Sequence, residues 1–202
     1  MRLAIVNLKG GTGKTTTAVH LATGLGRHGR TLLVDADPQG SAQSWSEAIG
    51  KDRPYDVVAL PDRDLHRRVP PLMQQGGYEH LVVDTPPGHV EIVRHAGAMV
   101  GEVLVPLPPS LMDLDRLRPT LELLSRVEEG HQITVRILLT RVRSGTRSAK
   151  GVREVLAELG LPVCAVEIPL LEAYVTGFGM LPPEGHLYGA LLDELTSERF
   201  AA

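Results

Sequence analysis

Five short runs in this sequence are apolar on almost every residue: 3–8, 31–35, 80–84, 101–106 and 133–140, all rich in Val, Ile and Leu. A strand with one wet face alternates apolar and polar residues. A run without that alternation belongs in a parallel sheet covered on both sides. Weaker strands are expected at 56–60 and 163–168. Between the runs lie amphipathic stretches of helical length, at 14–28, 41–49, 64–74, 90–98, 111–127, 147–159 and 187–200, with Pro119 kinking or restarting the fifth. Strand–helix alternation predicts an α/β fold with a mostly parallel sheet and helices on both faces. There is no repeat, low-complexity tract or dividing linker, so one domain over 1–202 is expected.

The first run leads into Asn-Leu-Lys-Gly-Gly-Thr-Gly-Lys-Thr-Thr-Thr, residues 7–17. This is a phosphate-binding loop, G-x-x-x-x-G-K-[ST], with one departure: Leu8 stands where the first glycine belongs and Lys9 follows it. A strand before and a helix after are the context the motif needs. Gly10, Gly11 and Gly13 let backbone N–H groups approach phosphate oxygens, with Thr12 between them, and the helix start at Lys14 adds positive dipole charge. Lys14 is expected to bridge the β- and γ-phosphates, Thr15 to ligate Mg2+, and Thr16 to bond a further phosphate. A bare glycine turn with an exposed lysine is the plain alternative, and it does not account for the strand, the Lys-Thr-Thr and the helix together.

Two more runs end in carboxylates: Asp35-Ala-Asp37-Pro-Gln-Gly40 and Asp84-Thr-Pro-Pro-Gly88. The carboxyl ends of parallel strands face the ligand crevice of an open α/β sheet. Asp84 therefore suits a metal-holding role, direct or through water, and Asp37 suits positioning of the attacking water or a metal-bound water. Asp35 shares the strand face of Asp37 and is expected to reach the same site. Simple capping of the following helices is the alternative for each. The Pro- and Gly-bearing segments behind both aspartates are suited to sensing a γ-phosphate.

Composition excludes other classes. Cys164 is the one cysteine, which removes disulfide frameworks and multi-thiolate sites. Aromatic residues are 3% of the chain, too few for base-stacking platforms, and the net charge of -3 argues against a uniformly basic nucleic-acid binder. No apolar run approaches a membrane span and no signal peptide is evident, so a cytoplasmic protein is expected.

The three ordered motifs, Lys9 to Thr16, Asp35 to Ser41 and Asp84 to Pro87, resemble those of the deviant Walker-A ATPases of the ParA/MinD type. The likeness runs on through Val105-Pro106, Ser110 and Thr140-Arg141. The resemblance implies a P-loop NTPase fold, ATP and Mg2+ as cofactors, slow hydrolysis without a partner, and an ATP-driven homodimer. In that dimer Lys9 would reach the neighbour's phosphates, which makes Lys9, Lys14 and Asp37 the expected catalytic residues and Thr15, Asp37 and Asp84 the metal residues. It also puts Thr140, Arg141, Ile168 and Pro169 around the base, although Leu170 stands where some relatives carry a polar residue. The segment 105–113, Val-Pro-Leu-Pro-Pro-Ser-Leu-Met-Asp, resembles one lying near nucleotide and interface, and a rigid loop is its alternative reading.

Within the family, the lone Cys164 excludes iron–sulfur branches, and the acidic end Tyr188–Arg199 lacks the basic membrane helix of MinD. Leu187, Leu191 and Leu195 are read as core. Between Glu129 and Glu154 there are six cations and no carboxylate. Val152, Val155, Leu156 and Leu159 share one helical face and Arg147, Lys150 and Arg153 the other. With Arg143 they form a candidate surface for nonspecific, salt-sensitive contact with DNA, against the plainer reading of a solvated face. The resemblance is strongest to small partition ATPases, implying nucleoid association and a ParB-class centromere-binding partner. Positioning of another cargo such as carboxysomes, a metabolic ligase of the dethiobiotin synthetase type, and a binding module without turnover are the competing functions.

Overall fold

The computed structural model describes residues 1–143 and 147–197. Six strands, β1 (Arg2–Ile5), β2 (Thr31–Asp35), β3 (Asp56–Ala59), β4 (His80–Asp84), β5 (Glu102–Leu107) and β6 (Thr134–Leu139), form one sheet in the order β3-β2-β4-β1-β5-β6. Every pairing is parallel. The absence of alternation in the sequence has its reason here: β2 and β5 are buried along their whole length.

Successive side chains leave a strand on opposite faces. Leu3 and Ile5 of β1, with Leu33, Val82, Leu104 and Leu138, pack under helices α1 (Lys14–Gly26), α2 (Ser41–Ile49) and α9 (Leu187–Ser197). Ala4, with Leu32, Leu81, Val83, Val105 and Leu139, packs under α3 (Leu65–Gly76), α4 (Val90–Met99), α6 (Arg118–Glu128) and α7 (Arg147–Glu158). Two short helices complete the chain, α5 (Leu111–Asp115) and α8 (Glu172–Thr176).

The prolines act where the physics of the missing N–H predicts. Pro119 sits in the first turn of α6, where no N–H is needed, and divides the stretch 111–127 into α5 and α6. Pro70 and Pro71 lie inside α3 on its exposed side, away from the buried Leu65, Val69 and Met73.

Three expectations are corrected. The segment 163–168 is not a strand. Val163 bridges Ile137 of β6, and Pro169, just past the segment, bridges Val142 beyond the end of β6; between them the N–H groups of Ala165 and Val166 are taken by the Glu194 carboxylate of α9, at 2.7 and 2.9 Å. Leu191 and Leu195 are core, but Leu187 is 38% exposed at the start of α9. Leu159 follows the end of α7 and is 64% exposed, leaving Ala149, Val152 and Leu156 as that helix's buried face. The last residues of the predicted stretch 187–200 lie outside the described residues.

Two glycines in helices test the packing. A Cβ on Gly26 would lie 2.3 Å from the Pro54 carbonyl oxygen, whereas one on Gly151 in α7 meets nothing within 4 Å among the described residues. Gly26→Ala is expected to cost about 1–3 kcal/mol. Gly151→Ala is expected to add about 0.5–1 kcal/mol through helix propensity. Urea midpoints moving in the same direction for both variants would contradict the packing described.

Candidate functional site

The loop between β1 and α1 is held from several sides before any ligand is considered. Asn7 donates its amide N–H to Pro106 O at 2.9 Å and accepts the Lys9 N–H at 2.9 Å. The Leu8 N–H donates to the buried Thr120 hydroxyl of α6 at 3.2 Å. Thr140 Oγ1 donates to Thr12 O at 2.9 Å, and Arg141 Nη1 donates to Gly11 O at 3.1 Å. Gly11 and Gly13 have φ of 73° and 94°, a left-handed backbone that excludes ordinary side chains. Gly13 caps α1 without any side-chain bond, so the first-turn N–H groups remain for an anion, with Thr15 and Thr16 among them.

The two lysines go to different places. Lys14, buried, curls over the loop and donates to Lys9 O at 3.0 Å. Burial pulls its pKa down, and Asp84 and then Asp37 counter the shift. Lys9 points away from that cradle and pairs with Asp113 of α5. Asp113 is itself held by Ser110, whose hydroxyl bonds its carboxylate and accepts the Asp113 N–H at 3.1 Å. Segment 105–113 therefore carries the cis partner of Lys9. The Ser110-Leu-Met-Asp113 spacing of a helix cap was the available signal for it.

Sheet register decides which carboxylates meet the loop. Asp35, Asp84 and Ile5 lie abreast on β2, β4 and β1, so both carboxylates take the face that carries α1. Thr15 Oγ1 donates to Asp84 Oδ2 at 2.7 Å, while Asp84 Oδ1 is buried without a partner. Burial pushes Asp84 up to about 7, the Thr15 bond lowers it, and the Asp35 charge adds to the rise. Asp35 is corrected from a possible site residue to a structural one. Its two oxygens accept the N–H groups of Asp37 at 3.0 Å and Gln43 at 2.8 Å, fixing the turn into α2. Asp37 remains half-buried, accepting the Gln39 N–H at 2.9 Å.

A divalent cation fits this arrangement. An orphaned buried carboxylate oxygen beside a threonine hydroxyl is a hard-oxygen donor set of the kind magnesium uses together with phosphates, and the described residues hold no richer metal cluster. Thr15 and Asp84, with Asp37 alongside, are the residues that would hold it.

Beyond the loop, a cavity of about 220 Å³ is lined by Gly13, Thr16, Thr140, Arg141, Ile168 and Pro169, and also by Leu170, Tyr174, Val175 and Tyr188. The four base-side residues expected from sequence meet there. Of these last four, Leu170 had been noted from the sequence, whereas Tyr174, Val175 and Tyr188 were not foreseen; their place against α1 is set by tertiary packing alone.

The basic surface is only partly assembled. Arg153 donates to Glu167 at 2.8 Å and to Cys164 O at 2.9 Å, so it ties α7 to the 163–168 segment and is not part of an open basic face. Lys150 is 82% exposed, 3.8 Å from Glu154. Arg143 is exposed before α7, and the side chain of Arg147 lies outside the described residues. No helix among the described residues is long and apolar enough to cross a membrane.

Residues 3–177 match the model of the CobQ/CobB/MinD/ParA nucleotide binding domain. The chain is 39% identical over 179 residues to the maintenance of carboxysome distribution protein A of Gloeobacter kilaueensis, covering 85% of this chain and 78% of the relative. It is 30% identical over 165 residues to the chromosome-partitioning ATPase Soj of Thermus thermophilus, covering 68% of this chain and 66% of Soj. Among solved structures, an ATP complex of a Cyanothece McdA variant superposes with a TM-score of 0.80 at 20% identity, covering 99% of this chain and 95% of that one. Cobyrinic acid a,c-diamide synthase from Mycobacterium smegmatis, with bound ATP analogue and magnesium, superposes with a TM-score of 0.78 at 22% identity, covering 99% and 96%. The fold is that of ParA/MinD-type P-loop NTPases, and the chain belongs to the CobQ/CobB/MinD/ParA nucleotide-binding family.

Proposed function

We propose that this protein is a positioning ATPase that dimerises on ATP and uses hydrolysis to release a cargo-linked partner. The observation that carries the reading is the divergence of two lysines on one loop. Lys14 turns inward over the phosphate cradle, and Lys9 turns outward from it, to the buried carboxylate of Asp113 on α5. A metabolic ligase needs only the inward lysine. An outward one is suited to a second subunit's phosphates, adding a cation where charge builds up in phosphoryl transfer.

In this reading the loop N–H groups and Lys14 hold the triphosphate of ATP, and bound magnesium would neutralise part of its charge. Asp37 orients the attacking water. Asp113 keeps Lys9 in cis until the partner's phosphates compete for it. The names of the relatives support positioning of carboxysomes or partition of chromosomes as the class of cargo, and the 39% identity over most of the chain favours the first. A nucleoid-associated state with nonspecific DNA, and a small adaptor of the ParB class or its carboxysome counterpart as the stimulating partner, complete the proposal.

Two outcomes are expected. Lys9→Ala should keep ATP binding by the monomer, lose the ATP-dependent dimer in sedimentation, and lower turnover by roughly 10²-fold or more. Asp113→Asn should move dimerisation to lower ATP concentration. A Lys9→Ala protein that dimerises and turns over like wild type would end this account of the loop. For DNA, affinity of the ATP state should fall steeply with salt and weaken in Lys150→Glu. Arg153→Gln should lower thermal stability with little change in DNA affinity; the reverse result would restore Arg153 to the binding face.

A further inference from the structure

The cavity beside the loop holds several polar side chains, and most are already committed. Thr140 Oγ1 donates to Thr12 O, Tyr188 Oη shares a buried bond with Thr17 Oγ1 at 3.1 Å, and Arg141 is turned toward Gly11 O. Thr16 stands in the first turn of α1, beside Thr15 at the phosphate end. The remaining walls, Ile168, Pro169, Leu170 and Val175, are apolar. Tyr174 is different. It lines the cavity from α8, and its hydroxyl makes no hydrogen bond among the described residues. Its ring is held edge-on by His20 at 5.4 Å and 75° and by Tyr188 at 5.5 Å and 85°. His20 is buried and neutral, its pKa lowered to about 3 by desolvation, so it supports the ring without adding charge.

We propose that Tyr174 is the residue that reads the edge of the nucleobase, its hydroxyl meeting the ring nitrogen and amino group of adenine while the apolar walls cover the faces. The proposal rests on the nucleotide-binding function proposed above. Its physical basis is elimination within one cavity. At about 220 Å³ the space suits a base and not a whole nucleotide. A base needs a polar partner at its edge when its faces enter apolar surroundings. A tyrosine hydroxyl both donates and accepts, so it can serve either adjacent atom of the adenine edge. Leu170, following Pro169, has no group to offer.

The test compares wild type with Tyr174→Phe on three probes in magnesium buffer: ATP, benzimidazole riboside triphosphate and tripolyphosphate. The second keeps the fused ring and ribose but loses the ring nitrogen and amino group at issue. Dissociation constants can be followed through the fluorescence of the single tryptophan, Trp45, whose ring lies 6.2 Å from His20. Wild type should favour ATP over the benzimidazole analogue by about fivefold, one hydrogen bond's worth. Tyr174→Phe should lose that preference, leave tripolyphosphate unchanged, and keep kcat within about twofold while KM for ATP rises about fivefold. An ATP preference that survives in Tyr174→Phe overturns the assignment, and so does equal weakening of all three probes, which would place the effect in loop packing. Wild type that binds tripolyphosphate without favouring ATP overturns it too. Wild type that binds none of the three overturns the proposed function itself.

Discussion

Asp35 and Asp84 stand side by side on adjacent strands, both buried against the same helix. Two carboxylates so placed repel one another and lose their hydration, and much of the surrounding architecture answers that cost. Asp35 is stabilised by two backbone N–H groups and so becomes the anchor of the turn that presents Asp37. Asp84 is stabilised by one threonine hydroxyl and by the nearby Lys14 charge, and one of its oxygens stays without a partner. The register that aligns the strands thus makes one carboxylate structural and leaves its neighbour in need of a cation.

A second dependence runs through α5 and α6. Thr120 holds the N–H of Leu8, and Asp113 holds the side chain of Lys9. Consecutive residues of the loop are therefore gripped by consecutive short helices that share one connection near Arg116 and Pro119. Movement of Lys9 from its own chain to another would be felt first at that connection, on the opposite sheet face from α1. This gives Lys9, the residue proposed to cross between subunits, a mechanical link to α5 and α6.

The sequence made the sheet legible because parallel strands buried on both faces leave an unmistakable unbroken apolar run. It made the phosphate loop legible because glycines, lysine and threonine must be contiguous to do their chemistry. Register was not legible, and register sets Asp35 beside Asp84; which of the two is satisfied by backbone N–H groups was not legible either. The pairing of Arg153 was not foreseen because helical periodicity sees only its own helix, while Glu167 and the Cys164 carbonyl approach from another segment. The 163–168 segment was read as a strand for the same reason: its composition suits pairing with β6, and only the Glu194 carboxylate, roughly thirty residues away, diverts two of its N–H groups. Tyr174 carries no local signal at all.

The bond between Thr17 and Tyr188 spans 171 residues. The phosphate loop takes its supports from residues up to Arg141, but the cavity proposed for the base lacks Tyr188 until α9 arrives, and Glu194 of the same helix holds the segment that walls it. At ribosomal rates of about 5–20 residues per second, roughly 10–35 s separate synthesis of the two tyrosine-bond partners. In the last part of that interval, once Arg141 has been made, a nascent chain would have the supports of its phosphate loop but not the cavity that we propose for the base. The last described helix thus sets when, during synthesis, the proposed base site is complete.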